Sequence, residues 1–257
     1  MTDSGAFSSL ALPPLRQGTV TCIGVRLDGD PADWIRAAAP FVTESERAQA
    51  RRFLHAWDAA RHLVGRALVR RVLCAVSGLA HIGDFARTPQ GKPVYAEGRL
   101  AGEGAFDFSI SHSGGMVWAA FCQGAALGPG PGLGVGIDVE RTSPLPDLFE
   151  LAAQLHPLEC AAVRAQPEPE RGAAFYRCWT RKEAVLKALG QGLSLPLRSF
   201  QVQTRPIAAD WLVSLPGALE QEAACAAWTT RDIDAGPGYQ CSVAASAPDL
   251  SLAVVFQ

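Results

Sequence analysis

Residues 106–122 read FDFSISHSGGMVWAAFC and decide the class of fold. The first half alternates apolar and polar residues from Phe106 to Ile110, which is the period of a strand with one buried face. SGG at 113–115 favours a tight turn, and MVWAAFC at 116–122 is apolar enough for a buried returning strand. The segment therefore predicts an antiparallel hairpin.

Helical patterns surround this hairpin. Thr43 with Glu46 has the spacing of a capping box, and apolar residues then recur at helical spacing to about residue 76, as one long helix or as two with Asp58 capping the second. The other predicted elements are helices at about 147–164 and 173–189 and strands at 134–140, 198–204, 211–215, 223–229, 239–245 and 251–256. Since both halves mix helices with strands that look hairpin-connected, we predict the α+β class and not a doubly wound sheet.

A Gly- and Pro-rich segment, GAALGPGPGLG at 124–134, divides the chain almost into halves. We predict that 124–133 is a linker. It closes an N-terminal lobe of residues 1–132, which opens with a loose lead-in over 1–18, and it precedes a C-terminal lobe of residues 133–257.

Composition limits the classes of function. A formal net charge of −2 argues against a dedicated nucleic-acid binder, and no apolar run approaches the roughly 20 residues that cross a membrane. Residues 1–18 contain no basic leader of the kind that export signals carry. The seven cysteines are scattered and form no CxxC pair, which is typical of reduced thiols in a cytosolic protein. We expect a soluble, cytoplasmic protein.

Two carboxylates stand together in the predicted strand GVGIDVE at 134–140. Because strand side chains alternate, Asp138 and Glu140 share one face, roughly 7 Å apart, while the apolar residues between them face the core. Like charges this close repel unless a cation or a bound proton compensates. Two interpretations fit the pair: part of a metal site, or an exposed edge pair that touches Arg141.

The predicted helix WTRKEAVLKALG at 179–190 carries the next candidates. Lys182 and Glu183 flank its apolar stripe on opposite sides, and Lys187 lies one turn after Glu183. Glu183 with Lys187 fits an ordinary stabilising i,i+4 pair. Alternatively, Glu183 joins the two acids of the strand as a third oxygen ligand for Mg²⁺, which favours a few carboxylates together with substrate phosphate oxygens.

Side chains that suit phosphate lie at three places. Lys92 stands in a loop that the following proline restricts. Ser111 and His112 end a strand before two glycines, where hydroxyl and N–H groups can donate; an ordinary surface histidine is the alternative for His112. Arg61 and Arg66 are further donors if their helix faces the same cleft.

Together these segments resemble the 4′-phosphopantetheinyl transferase family, in its larger, single-chain, two-lobed (Sfp-type) class. The resemblance extends over most of the chain from about residue 43 to 245, and its most specific part is GIDVE followed by WTRKEAVLK. The segments that carry it are FLHAWDAARHLVGRALVR (53–70), GKP (91–93), FSISHSGG (108–115), GVGIDVER (134–141) and FYRCWTRKEAVLKALGQGLSLPL (175–197).

The resemblance implies a fold of two pseudo-symmetric α+β lobes with the active site between them. It implies transfer of the 4′-phosphopantetheine moiety of coenzyme A to a serine of an apo acyl or peptidyl carrier protein, with release of adenosine 3′,5′-bisphosphate. Such an enzyme needs Mg²⁺, and members of the two-lobed class complete the site within one chain, so a monomer is expected. Neither nucleic acid nor a membrane is an expected partner.

The resemblance also implies roles for individual residues. Asp138, Glu140 and Glu183 match the acids that bind magnesium. Lys187 and Lys182 match lysines near the diphosphate, and Glu159 matches an acid that helps to deprotonate the incoming serine, a role that Glu183 could also take. Lys187 and His112 would stabilise the growing negative charge. The positions that match contacts to the phosphates of the coenzyme are Arg61, Lys92, Ser111 and His112.

The sequence departs from the family at one place, and two other functions stay open. Relatives offer lysines to the 3′-phosphate of the coenzyme where this chain has Glu46 and Gln49, so Arg47 or Arg51 would have to substitute. The three acids would equally serve a magnesium-dependent phosphohydrolase. A non-catalytic protein that binds coenzyme A or a carrier is the third hypothesis.

Overall fold

A computed structural model describes residues 7, 10–95, 99–100, 104–123, 134–190, 192, 195–206, 211–212, 228–246 and 251–257. The helices are α1 (Pro31–Ala38), α2 (Glu44–Ala50), α3 (Ala56–Ser77), α4 (Leu148–Ala152), α5 (Pro157–Arg164) and α6 (Glu168–Leu189). The strands are β1 (Thr19–Arg26), β2 (Ala86–Arg87), β3 (Pro93–Val94), β4 (Arg99–Leu100), β5 (Gly104–Ser113), β6 (Met116–Gln123), β7 (Val135–Arg141), β8 (Trp211–Leu212), β9 (Thr229–Ile233), β10 (Tyr239–Ala245) and β11 (Ser251–Phe256).

The strands form two main sheets. The first has the order β11-β1-β6-β5-β4, and the second has the order β7-β10-β9-β8. Every pairing in these sheets is antiparallel except that of β1 with β11, which is parallel. β2 and β3 form a separate two-stranded ribbon. The predicted α+β class is confirmed.

Three hydrophobic clusters stack the elements into layers. Residues of α3 pack on one face of the first sheet, whose opposite face packs on the second sheet. The outer face of the second sheet packs on α6. β6 is buried on both faces because Val117 and Phe121 enter the first cluster while Trp118 enters the second. The order is therefore helix, sheet, sheet, helix.

The last strand ties the end of the chain to its beginning. β11 pairs with β1 from Thr19 opposite Ser251 to Gly24 opposite Phe256. The predicted division at 132/133 stays a prediction, and this pairing crosses it. The linker predicted at 124–133 lies outside the described residues.

The expected hairpin and capping box are confirmed. β5 and β6 pair across the SGG turn, and Thr43 and Glu46 cap each other's backbone N–H at the start of α2. The segment 43–76 contains two helices, but the prediction that Asp58 caps the second is wrong. His55 is the N-cap residue of α3, and Asp58 lies in its first turn, where it binds Arg61.

Other boundaries differ from the expectation. The helix predicted at about 147–164 is two helices, with Pro157 at the first position of α5, and α6 begins at Glu168 rather than near residue 173. Strands at 239–245 and 251–256 are confirmed. Within the strand predicted at 211–215 the structure describes only β8. Most of the strand predicted at 223–229 lies outside the described residues.

The strand predicted at 198–204 is wrong. Residues 197–199 form a 3₁₀ turn, Gln201 makes only an isolated bridge, and buried side chains bind neighbouring backbone groups. The carbonyls of Leu197 and Phe200 accept from Lys182 Nζ at 2.7 and 2.5 Å. Val202 N donates to a carboxylate oxygen of Glu159 at 2.7 Å.

No helix in the described part of the chain is long and apolar enough to span a membrane. The six cysteines that the structure describes are free thiols.

Candidate active site

A cleft of about 600 Å³ lies where the two sheets meet. Its walls come from α3, the loop around Lys92, the polar face of β5, the strand β7 and the C-terminal half of α6. A cleft of this size suits a small ligand or cofactor.

Gly136 explains how α6 comes so close to β7. A Cβ atom at this position would lie 1.9 Å from the carbonyl oxygen of Ala184 and 2.5 Å from the backbone nitrogen of Ala188. Only glycine therefore allows the helix to lie directly on the strand. This approach brings Glu183 and Lys187 into the same cleft as Asp138.

Asp138 is the most enclosed of the three acids that line the cleft, at 3% exposure. Its Oδ1 accepts from Lys187 Nζ at 2.7 Å and from Ser111 Oγ at 2.9 Å. Within the described residues, its buried Oδ2 has no hydrogen-bond partner. A buried carboxylate oxygen without a donor is costly, so this atom is available to a ligand that enters the cleft.

Glu140 and Glu183 border Asp138. Burial raises the pKa of both carboxyl groups, and the charge of Asp138 raises both pKa values further. Ser113 Oγ donates to Glu140 Oε2 at 2.8 Å, which opposes the rise in the pKa of Glu140. The positive charge of Lys187 opposes the rise in pKa at both Glu140 and Glu183. This environment favours any cation that approaches all three acids.

The acids line one cleft without forming a closed cage. Across the ranges that the structure describes, no three His, Cys, Asp or Glu side chains are already arranged as a group that could hold a metal ion. A cation at this place would therefore need oxygen atoms from its substrate as well, as Mg²⁺ sites often do.

The basic side of the cleft contains Lys92 and His112. Lys92 Nζ donates to Asp107 Oδ2 at 2.6 Å and to the carbonyl of Val135 at 3.2 Å. The pKa of His112 is lowered by burial and by the positive charges of Arg61 and Lys187. Its imidazole is therefore neutral near pH 7 and offers an N–H donor rather than a full charge.

Ser111 lines the cleft, but its hydroxyl is fully engaged within the protein. It donates to Asp138 and accepts from Lys187 Nζ at 2.9 Å and from Val139 N at 3.3 Å. One donor and two acceptor positions are all that a hydroxyl has. Its contact in this structure is with the acidic pair and not with an open phosphate position.

The structure does not bring Lys182 and Glu159 to the cleft. Lys182 is fully buried and forms an ion pair of 2.9 Å with Glu159, which is itself 2% exposed. Lys182 lies one residue before Glu183 and five before Lys187, about 100° and 140° away from them around α6, so its side chain leaves from the buried side of the helix. The roles expected for these two residues at the diphosphate and at the serine proton are therefore corrected to a structural ion pair.

Arg61 is also engaged elsewhere. It donates to the carbonyl of Gly114 at 2.6 Å and pairs with Asp58, and it is not among the residues that line the cleft. We therefore correct the expected contact of Arg61 with a phosphate. In this structure Arg61 supports the turn between β5 and β6. Arg66, one turn later on α3, is the arginine that lines the cleft.

His62 is a cleft residue that sequence reasoning missed. Burial, followed by the charge of Arg66, lowers its pKa to about 4. His62 lies four residues before Arg66, so both side chains are on one face of α3. This i,i+4 spacing is the signal in the sequence that could have identified His62 as a cleft residue.

The charged residues near Glu46, where the sequence departs from the family, form ion pairs within the protein. Glu46 binds Arg70 at 3.0 Å and lies 3.9 Å from Arg66. Arg47 and Arg51 both pair with Glu44 on the surface, and neither lines the cleft. Both arginines are therefore engaged with Glu44, and their expected role at the 3′-phosphate stays a prediction.

Comparisons with known proteins cover both halves of the chain. A model of the 4′-phosphopantetheinyl transferase superfamily matches residues 134–244, and a model described as 4′-phosphopantetheinyl transferase, N-terminal, matches residues 29–123. These ranges contain β7 with α6 and α3 with the β5–β6 hairpin, which are the elements that form the cleft.

Individual relatives agree. The chain is 33% identical to the 4′-phosphopantetheinyl transferase Sfp of Bacillus subtilis (strain 168) over 81% of this chain and 84% of the relative. It is 29% identical to the 4′-phosphopantetheinyl transferase HetI of Nostoc sp., over 68% and 70%. It is 30% identical to the L-aminoadipate-semialdehyde dehydrogenase-phosphopantetheinyl transferase of Rattus norvegicus, over 70% and 58%. The chain therefore belongs to the 4′-phosphopantetheinyl transferase superfamily.

Proposed function

We propose that this enzyme transfers the 4′-phosphopantetheine moiety of coenzyme A to a serine of an apo acyl or peptidyl carrier protein and releases adenosine 3′,5′-bisphosphate. Its membership in the superfamily supports this activity. The observation that carries the proposal is that Asp138, Glu140, Glu183 and Lys187 come from two elements and line one cleft.

Asp138, Glu140 and Glu183 would hold Mg²⁺ in this cleft. The fit rests on the buried Oδ2 of Asp138, which has no partner among the described residues, and on the raised pKa values of the two glutamates. When bound, the ion would offset the negative charge of the coenzyme's diphosphate.

The basic side chains would bind and orient the coenzyme. Lys187 is 30% exposed and would meet the charge that grows on the phosphate oxygens as the serine attacks. The neutral His112 would donate a hydrogen bond to a phosphate oxygen, and Arg66 would supply a full positive charge deeper along α3. Lys92 approaches from the opposite loop.

Glu183 is the acid that we assign to accept the serine proton. It lines the cleft, so it is the candidate general base that could reach the incoming serine. Glu159 supports the fold instead, because both of its oxygens are used: one by Val202 N and the other by Lys182 and His156 N.

We infer that the enzyme acts as a monomer in the cytoplasm. All of the proposed site residues belong to one chain, and the described cysteines are free. Light scattering coupled to gel filtration tests the monomer, and a dimer that dissociates with loss of activity would contradict it.

Mass spectrometry of carrier proteins tests the proposed activity. Purified enzyme, coenzyme A and Mg²⁺ should increase the mass of an apo carrier by one phosphopantetheine. Carriers from fatty-acid, polyketide and peptide synthases should be tried side by side. Glu183→Gln should abolish the gain, whereas Glu170→Gln, an exposed acid on the same helix, should not.

The alternatives give different results in the same assay. Release of phosphate from nucleotides without any carrier would favour a phosphohydrolase. Tight binding of coenzyme A with no mass gain on any carrier would favour a non-catalytic binding protein. Either result would overturn the proposed transfer.

A further inference from the structure

A regular set of side chains joins the first sheet to the edge of the second. Among the strands that the structure describes, β10 alone pairs with β7, which is therefore an edge strand. Every second backbone N–H of β7 points away from β10 and donates to a side chain of β5. The four pairs are Val135 N to Asp107 at 2.9 Å, Ile137 N to Ser109 at 3.1 Å, Val139 N to Ser111 at 3.3 Å and Arg141 N to Ser113 at 3.0 Å. We call these four contacts the side-chain ladder.

Each contact of the ladder joins two residues that are 28 positions apart in the sequence. Each serine therefore also lies beside the residue that comes just before its backbone partner in β7. Ser111 donates to Asp138, and Ser113 donates to Glu140. For Ser109 the corresponding residue is Gly136, which has no side chain. Two rungs of the ladder therefore hold an acid of the cleft, and Ser109 makes the backbone contact alone.

The hydroxyl of Ser113 has a single proton, and the geometry assigns it. Its oxygen accepts from Arg141 N at 3.0 Å, so the proton is directed to Glu140 Oε2 at 2.8 Å. Glutamate has three rotatable side-chain bonds, and the charge of Asp138 repels it from the cleft. This hydrogen bond fixes the orientation of the carboxylate and opposes its rotation toward solvent, whereas the attraction to Lys187 is not directional.

We propose that Ser113 is a positioning residue that holds the Glu140 carboxylate in the cleft in the orientation needed to bind the divalent ion. This inference rests on the proposed function, since it assumes that Glu140 binds a metal. Ser113 would act through Glu140 and would touch neither the coenzyme nor the carrier.

The test compares two serines of the ladder. The affinity of the full-length enzyme for Mn²⁺ is measured with coenzyme A present, from the free-ion signal in electron paramagnetic resonance. Coenzyme A without enzyme serves as the blank, and thermal unfolding is recorded beside it. Removing a hydrogen bond that orients a metal ligand typically costs about 10–100-fold in metal affinity. Ser113→Ala should therefore lose about tenfold or more, whereas Ser109→Ala should stay within about twofold although it loses the same kind of backbone contact.

A second pair of variants isolates the hydroxyl from the fold. Ser113→Thr keeps the hydroxyl and should retain Mn²⁺ affinity, while Ser113→Val has a similar shape without it and should lose affinity. Equal affinities of the threonine and valine proteins, or of Ser113→Ala and Ser109→Ala, would overturn the proposal.

Failure of the wider proposal gives a different result. A wild-type enzyme that neither binds Mn²⁺ nor modifies any carrier would contradict the proposed function itself. A wild-type enzyme that does both, beside a Ser113→Ala protein with unchanged Mn²⁺ affinity, would contradict only the positioning role.

Discussion

Replacing Gly136 with alanine should separate α6 from β7 and impair the site without changing any of its polar groups. The added Cβ would lie 1.9 Å from the carbonyl oxygen of Ala184, a backbone atom that cannot rotate away. Reaching an ordinary contact of 3.4 Å requires a displacement of about 1.5 Å. Since α6 carries Glu183 and Lys187, both would move with it.

Two effects of Gly136→Ala follow from this displacement. Inserting a methyl group into a closely packed interior typically costs about 1–3 kcal/mol of unfolding free energy. A misplacement of about 1 Å at a catalytic site can lower the rate about 100-fold. We therefore expect a stability loss near the upper end of that range and a transfer rate reduced by about two orders of magnitude.

Gly172→Ala, in α6 itself, provides the control for Gly136→Ala in β7. No atom lies within 4 Å of the position where its Cβ would be built. Alanine there should stabilise the protein by about 0.5–1 kcal/mol, because glycine is a poor residue for a helix interior. Denaturant unfolding and the rate of holo-carrier formation measure both variants.

The outcome that refutes this reasoning is clear. If Gly136→Ala keeps the stability and the transfer rate of the wild type within about twofold, α6 does not lie on β7 as described. Loss of stability with an unchanged rate would show that the positions of Glu183 and Lys187 do not depend on this contact.

Three other perturbations address the remaining assignments. Glu159→Gln leaves Lys182 charged and buried and should cost about 3–5 kcal/mol in denaturant unfolding, whereas Glu170→Gln at an exposed acid should leave stability nearly unchanged; an unchanged stability of Glu159→Gln with a lost transfer rate would instead restore Glu159 to catalysis. Arg66→Gln should weaken coenzyme A binding about tenfold by calorimetry, whereas the surface variant Arg47→Gln should not; equal affinities would remove Arg66 from the site. Because the folded pKa of His62 is about 4, below its ordinary value of 6.5, the unfolded chain binds the extra proton first and stability should fall as pH decreases from about 6.5 to 4. His62→Gln should reduce that fall, and an identical pH profile would contradict the assignment.

Local patterns predicted the elements that have strong periodic signals. The alternation in β5, the capping box of α2 and the acidic pair on β7 all depend on near neighbours, and the sequence contains those directly. Shared strand faces also follow from local spacing, which is why Asp138 and Glu140 were recognised as one group.

Long-range partners could not be predicted in the same way. Lys182 and Glu183 are adjacent in sequence, yet one is buried against Phe200 and the other lines the cleft. Which side of α6 faces which neighbour depends on Gly136 and on the carbonyl groups of 197–200, far away in the chain. The strand expected at 198–204 failed for the same reason, because buried side chains took its backbone groups.

The position of the cleft follows from how the fold provides hydrogen-bond partners for the backbone N–H groups of an edge strand. An edge presents unpaired N–H groups that could template pairing with another chain. Here the side-chain ladder uses those of β7, so β5 must present short polar side chains to the second sheet. That requirement places hydroxyl protons beside Asp138 and Glu140. The same hydroxyl groups therefore support the fold and orient the acids through different hydrogen bonds, and the comparison of Ser113 with Ser109 separates the two.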